Sequence, residues 1–174
     1  MALIARTTIQ IGVVSDTHFE HLEVGVEFFT HLFSTVFSEI DLLLHAGDIV
    51  HPDLLDYLTQ KPVLAVRGNC DILALPAQRI VDVGGFRIGM MHGWGGVVDL
   101  EERICQSFTG EAIDGLIYGH SHLPLLRREN GLLIMNPGSP TQRRRAPFHS
   151  VGLLTAGKKL TGEIINLDVK MTLT

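Results

Sequence analysis

The residues able to do chemistry fall in five short polar segments: Asp16-Thr17-His18, Gly47-Asp48, Gly68-Asn69, His92-Gly93 and Gly119-His120-Ser121-His122. They offer seven oxygen and nitrogen donors: Asp16, His18, Asp48, Asn69, His92, His120 and His122. None is a cysteine. Mixed carboxylate, amide and imidazole donors suit divalent ions such as manganese, iron, nickel or zinc better than a closed structural zinc site. Singly the segments say little. An aspartate after a strand is most often a turn or cap residue, and a lone His-Gly is nearly uninformative. His120-x-His122 is more specific, and the set gains its force when taken jointly.

Each of these segments follows a buried strand. Residues 9–14 read as a strand that becomes fully buried toward its end. Residues 41–46 and 62–67 read as two more, and between them lie helical patterns at 23–38 (Val24, Phe28, Leu32, Val36 and Phe37, widened by Val26 and Phe29) and 53–57, after Pro52. Strand–helix–strand–helix–strand predicts a parallel sheet with right-handed crossovers. The second half predicts a hairpin over 79–83 and 86–91, and a short helix over 98–108 with Val98, Ile104 and Phe108 apolar. A strand over 113–118 follows, then hairpins about Asn130-Gly131 and Gly157. The expected architecture is α/β, two packed mixed sheets with helices outside. Ligands of open α/β sheets bind beyond the carboxyl ends of parallel strands, where these donors fall. If the Asp16/His18 and His120/His122 pairs lie in extended chain, residues i and i+2 point the same way and each pair can grip one ion. Gly47, Gly68 and Gly119 precede ligands, where unusual dihedrals or close backbone approach are expected.

With 174 residues, a single domain over 1–174 is expected, with 45% hydrophobic and 19% charged residues excluding a disordered chain. The net charge of −5 gives no electrostatic case for nucleic acid or an anionic membrane, although bound metals would reverse the sign locally for a small phosphate substrate. Cys70 and Cys105 do not make a disulfide framework, which points to a reduced, cytoplasmic protein. Residues 1–6 lack a basic n-region and make a poor signal peptide, and no apolar run approaches a membrane span. A mean hydropathy of +0.25 is high for a small soluble domain, and a dimer or tetramer would account for it.

In order, Asp-x-His, Gly-Asp, Gly-Asn, His and Gly-His-x-His resemble the calcineurin-like metallophosphoesterase superfamily, over residues 16–136. The short chain, Gly68-Asn69-Cys70-Asp71 and Asn136-Pro137-Gly138-Ser139 look like its small bacterial and archaeal phosphodiesterase branch. The resemblance implies a four-layer αββα sandwich and two divalent ions, manganese expected, with nickel, iron or zinc as alternatives. It implies that Asp16, His18 and His122 hold one ion, that Asn69, His92 and His120 hold the other, and that Asp48 bridges. Asp48, Asn69 and His92 would also serve catalysis. Two ions roughly 3.5–4 Å apart would share a hydroxide, lower its pKa and clamp the phosphoryl oxygens of a diester. The alternatives are a phosphomonoesterase or nucleotidase on the same site, or a non-catalytic scaffold resembling the retromer subunit of this fold. Many superfamily members carry a histidine after Gly-Asn that helps the leaving group; here Cys70 stands there, which the small branch shares, and the bland reading is a small packed residue.

The remaining candidates are weaker. His45 reads as a satisfied core histidine or an orienter of a ligand. His21, His31, His51 and His149 read as surface or packing residues. Arg143-Arg144-Arg145 reads as a solvated loop, with a substrate phosphate as the alternative. Arg67 is similarly ambiguous, and Trp94 either packs or walls a pocket for a base or aryl group.

Overall fold

The computed structural model describes residues 8–170; residues 1–6, which read as a poor signal peptide, lie outside the described residues. Strand β1 (Ile9–Val14) leads through helix α1 (Leu22–Ser34) to β2 (Leu42–His45), then through α2 (Pro52–Leu58) to β3 (Val63–Ala65). β1, β2 and β3 are parallel, as strand–helix–strand alternation requires. β4 (Gln78–Val83) and β5 (Phe86–Met91) form a hairpin, followed by α3 (Leu100–Ser107), β6 (Gly115–Ile117) and the hairpin β7 (Leu125–Glu129) and β8 (Leu132–Asn136). Strands β9 (Ser150–Ala156) and β10 (Leu160–Asn166) and a short α4 (Leu167–Lys170) close the chain. The first sheet runs β10-β9-β1-β2-β3 and the second β4-β5-β6-β8-β7, both mixed.

Alternation along the strands builds the layers. Ile11 and Val13 of β1 and Leu44 of β2 face the inter-sheet core, where they meet Ile88, Met90, Ile117 and Met135 of the second sheet. Their neighbours Val14 and Leu43 point the other way, onto Phe29 and Leu32 of α1 and Leu54 and Leu58 of α2. Leu116 and Ile134 of the second sheet pack on Leu100 and Ile104 of α3. Both faces of both sheets are therefore covered, which gives the expected four-layer αββα sandwich.

Three local expectations need correction. Helix α1 ends at Ser34, and the chain turns so that the amide of Phe37 donates to Leu32 O at 2.8 Å and its ring still reaches the core. Val24 is 53% exposed; the buried stripe is Gly25, Phe29 and Leu32. Val98 is 74% exposed and lies ahead of α3, so it contributes nothing to that helix's apolar face. After β10 the chain forms the short helix α4, which the hairpin pattern about Gly157 does not foretell.

Leu44 sits fully buried between the sheets. Leu44→Ala is expected to cost about 3 kcal/mol through lost burial and a residual cavity, read as a lower midpoint in urea unfolding with an unchanged slope.

Candidate metal centre

All seven donors lie just beyond the carboxyl ends of parallel strands: Asp16 and His18 after β1, Asp48 after β2, Asn69 after β3, His92 after β5, and His120 and His122 after β6. Both sheets thus contribute, and the donors meet at their shared edge. Oδ1 of Asp16 stands 3.2 Å from His122 Nε2, 3.8 Å from His92 Nε2 and 3.9 Å from His18 Nε2. Oδ2 of Asp48 lies 3.4 Å from His18 Nε2 and 3.3 Å from His92 Nε2. Oδ1 of Asn69 lies 3.2 Å from His92 Nε2 and 2.9 Å from His120 Nδ1. Asp48 therefore sits between an imidazole of each expected trio.

The paired donors do not converge by the extended geometry expected for them. Asp16, His18, Asp48, His120 and His122 all adopt positive φ, between 45° and 69°. That left-handed region is uncommon for residues with a Cβ, and it concentrates at functional sites where the surroundings over-determine it. Tight turns, not strand pleat, aim the side chains. Among the glycines, close approach matters most at Gly68 and Gly119: a Cβ at Gly68 would stand 2.1 Å from Asp48 Oδ1, and one at Gly119 1.9 Å from Ser15 Oγ and 2.7 Å from Asp16 Oδ2.

Three imidazoles are held by backbone carbonyls, which can only accept. His92 donates through Nδ1 to Ala46 O at 2.7 Å, His122 through Nδ1 to Gln142 O at 2.5 Å, and His120 through Nε2 to Gly95 O at 2.6 Å. In each neutral ring the other nitrogen is left with its lone pair turned into the site, the arrangement that metal-binding histidines use. Asp16 Oδ1 is buried and has no hydrogen-bond partner among the described residues, although Oδ2 takes the amide of His120 at 3.0 Å. A buried anionic oxygen ringed by imidazole nitrogens fits a cation, and the oxygen-and-nitrogen donor set fits a divalent one. The close groups Asp16–His18–His122 and Asp16–Asp48–His92 are each compact enough to hold an ion.

The electrostatics agree. Burial pushes the Asp16 carboxyl up, but the neighbouring imidazoles of His122 and His92 outweigh it and hold the group below its ordinary value. Asp48 behaves likewise: burial opposes ionisation, while His92 and the Cys70 amide hold its carboxyl well below the usual range. Burial pushes His92 down, yet Asp48 and Asp16 lift it above its ordinary value. For His18 burial prevails and the pKa falls. Two ionised carboxylates thus draw positive charge into the site.

Asp71, the last residue of Gly68-Asn69-Cys70-Asp71, has a role that its spacing does not reveal. Its carboxylate accepts the amides of Asp48 at 2.9 Å, Val50 at 2.8 Å and Gly68 at 2.8 Å, so it pins the loops that carry Asp48 and Asn69. Asn136 donates to Gly119 O and Ser121 Oγ, each at 3.0 Å, and accepts Gly138 N; Ser139 Oγ donates to Asp16 O at 2.7 Å. His45 is the satisfied core histidine expected: Nδ1 accepts the Gly47 amide at 3.2 Å, so Nε2 donates to Thr17 Oγ1 at 3.0 Å, and that hydroxyl donates to Asp48 O at 3.3 Å. Cys70 is not packed away. It is exposed, its amide donates to Asp48 Oδ1 at 2.8 Å, and partial burial and the nearby Asp48 push its thiol up to about 11, so the thiol stays protonated at neutral pH. Arg144 is exposed, and its charge disfavours protonation of His18.

The calcineurin-like phosphoesterase superfamily domain matches residues 9–159, and the chain belongs to that superfamily. A probable metallophosphoesterase of Methanocaldococcus jannaschii is 35% identical over 164 residues, which cover 92% of this chain and 83% of that one. Two solved structures share the fold: an archaeal phosphodiesterase (TM-score 0.69, 19% identity, 90% of this chain and 100% of that one) and vacuolar protein sorting 29 of Cryptosporidium parvum (TM-score 0.69, 24% identity, 92% of each). The chain is accordingly a metallophosphoesterase-fold protein whose family is metal-dependent. No helix among the described residues is long and apolar enough to cross a membrane.

Asp71→Ala is expected to destabilise the protein by about 3 kcal/mol, because three amides lose a charged acceptor, and to lower metal stoichiometry although no donor is removed; calorimetry and metal analysis check both. His45 gives a pH dependence. Burial lowers its pKa from 6.5 to about 4 in the folded chain. Between those values the unfolded chain takes up a proton that the folded chain refuses, so this contribution to stability is present above pH 6.5 and is lost as pH falls toward 4. In His45→Gln, the decline of Tm over that interval should be shallower than in the wild type, measured on metal-free protein.

Proposed function

We propose that this protein is a metal-dependent phosphodiesterase with a dinuclear centre. Asp16, His18 and His122 would hold one ion and Asn69, His92 and His120 the other, with Asp48 shared. The observation that carries this reading is the unpartnered, buried Asp16 Oδ1 facing three imidazoles, with three of the site's four imidazoles fixed by backbone carbonyls. When bound, two divalent ions lower the pKa of a water molecule and neutralise phosphoryl charge.

The chain's own groups orient the rest. Asp48, tied through Oδ1 to the Cys70 amide, keeps Oδ2 turned toward both trios. Asn69, on an exposed position between His92 and His120, stands at the mouth where an ester must approach. Hydrolysis would break the bond from phosphorus to the leaving oxygen, form one to the oxygen of water, and pass a water proton to the leaving group. Position 70 offers a protonated thiol and no imidazole, so diesters with good leaving groups are favoured. An open cleft and a structural neighbour described as a phosphodiesterase support diesters over monoesters. Convergence of all seven donors supports hydrolysis over a protein-binding scaffold, a role that would not require them.

The test is hydrolysis of bis-p-nitrophenyl phosphate by metal-stripped protein before and after manganese is added. Activity should appear only with metal, and Asp48→Ala should reduce it on the order of a thousandfold, equivalent to about 4 kcal/mol. Turnover near the wild-type rate in Asp48→Ala would sink the shared-ligand assignment.

A further inference from the structure

Beside Asn69 and His92 the surface opens into a cavity of about 400 Å³, lined also by Arg67, Ala77, Met91 and Trp94. That volume lies within the roughly 300–1,000 Å³ of small-molecule sites. Two of its walls are unexplained by metal binding. Trp94, the only tryptophan in the chain, is 47% exposed. Its position is nevertheless fixed. Arg103 donates to Trp94 O at 2.8 Å, Gly96 O at 2.6 Å and Val98 O at 2.7 Å, and its guanidinium lies 5.9 Å from the centre of the indole ring. Gly95 O in the same turn takes the proton of His120, so the indole's turn is fastened directly to a donor of the candidate metal centre. A large aromatic left half in solvent on a turn held this firmly is prepared for a planar partner.

The second wall is Arg67. Its side chain is exposed and has no hydrogen-bond or ion-pair partner among the described residues. Asp71, the acid lining the same cavity, is committed to three backbone amides. A guanidinium with a free planar fork is suited to a phosphate or carboxylate. The phosphate being hydrolysed would already be met by the metal donors, so a free cation beside them calls for a further anionic group.

We propose that this cavity receives one ester arm of the substrate, and that the arm is nucleotide-like: a planar ring against Trp94 and a second anionic group on Arg67. The proposal rests on the phosphodiesterase reading only in placing the reacting phosphate at Asn69 and His92. It names the substrate class as diesters or anhydrides with a nucleoside phosphate arm.

Because Trp94 is the only tryptophan, its fluorescence reads the cavity directly. The experiment titrates the full chain, in buffer containing magnesium, with adenosine 5′-diphosphate, adenosine and pyrophosphate. Saturable quenching by the diphosphate is expected, with adenosine binding at least tenfold more weakly, and with pyrophosphate, which lacks a ring, leaving the indole signal unchanged. Arg67→Ala, which removes an exposed side chain with no bond among the described residues, should weaken the diphosphate about tenfold and leave adenosine unaltered. Absence of saturable quenching, or an Arg67→Ala variant that binds the diphosphate as tightly as wild type, overturns the proposal. Hydrolysis of bis-p-nitrophenyl phosphate separates the two readings. Quenching and its Arg67 dependence without metal-dependent hydrolysis would uphold the cavity and reject the diesterase; hydrolysis without quenching would do the reverse.

Discussion

The rest of the site depends on a buried carboxylate. Asp16 is fully excluded from solvent, and an isolated charge there would be costly. Its two oxygens divide the problem. Oδ2 accepts the amide of His120, which belongs to the other sheet, so one hydrogen bond joins the two halves of the sandwich at their common edge. Among the described residues Oδ1 accepts no hydrogen bond, and it faces three imidazoles. The first oxygen ties two loops together and the second is turned into the candidate site, and neither can be moved without moving the other.

Around this group lies a set of polar side chains that never reach the site's interior. Asp71, Asn136, Ser139 and Thr17 each bond to the backbone of a loop that carries a donor. They hold five donor residues in left-handed backbone, a conformation that local sequence preference resists. Alternating apolar strands set the loops within reach of one another; these buried hydrogen bonds then fix the loops to within hydrogen-bond distances.

The layers and the meeting of the candidate donors were legible in the sequence because both follow from simple spacing. The apolar runs in Ile9–Val14 and Leu42–His45, the turn glycines and the polar residues that follow those runs were enough to place Asp16, Asp48 and Asn69 at one sheet edge. What spacing could not show was conformation and partnership. Period-two pairs suggest extended chain, yet Asp16/His18 and His120/His122 converge through turns, because tertiary bonds override local preference there. Asp71 was visible as a residue but not as an acceptor of three amides, since its partners lie up to 23 positions away. Val24 was counted as core because helical period alone does not say where a stripe's margin falls.

The first sheet has a further consequence, for the timing of synthesis. β1 lies in the interior of that sheet, and its free side is filled by β9, with Ile9 opposite Ala156, a pairing that spans nearly the whole chain. Every candidate donor is therefore synthesised before the strand that encloses β1 exists. Closing a loop that long is slow compared with forming local helices. Until it closes, Asp16 has no complete sheet behind it, so a nascent chain carries all its candidate donor side chains before the frame that aims them is built.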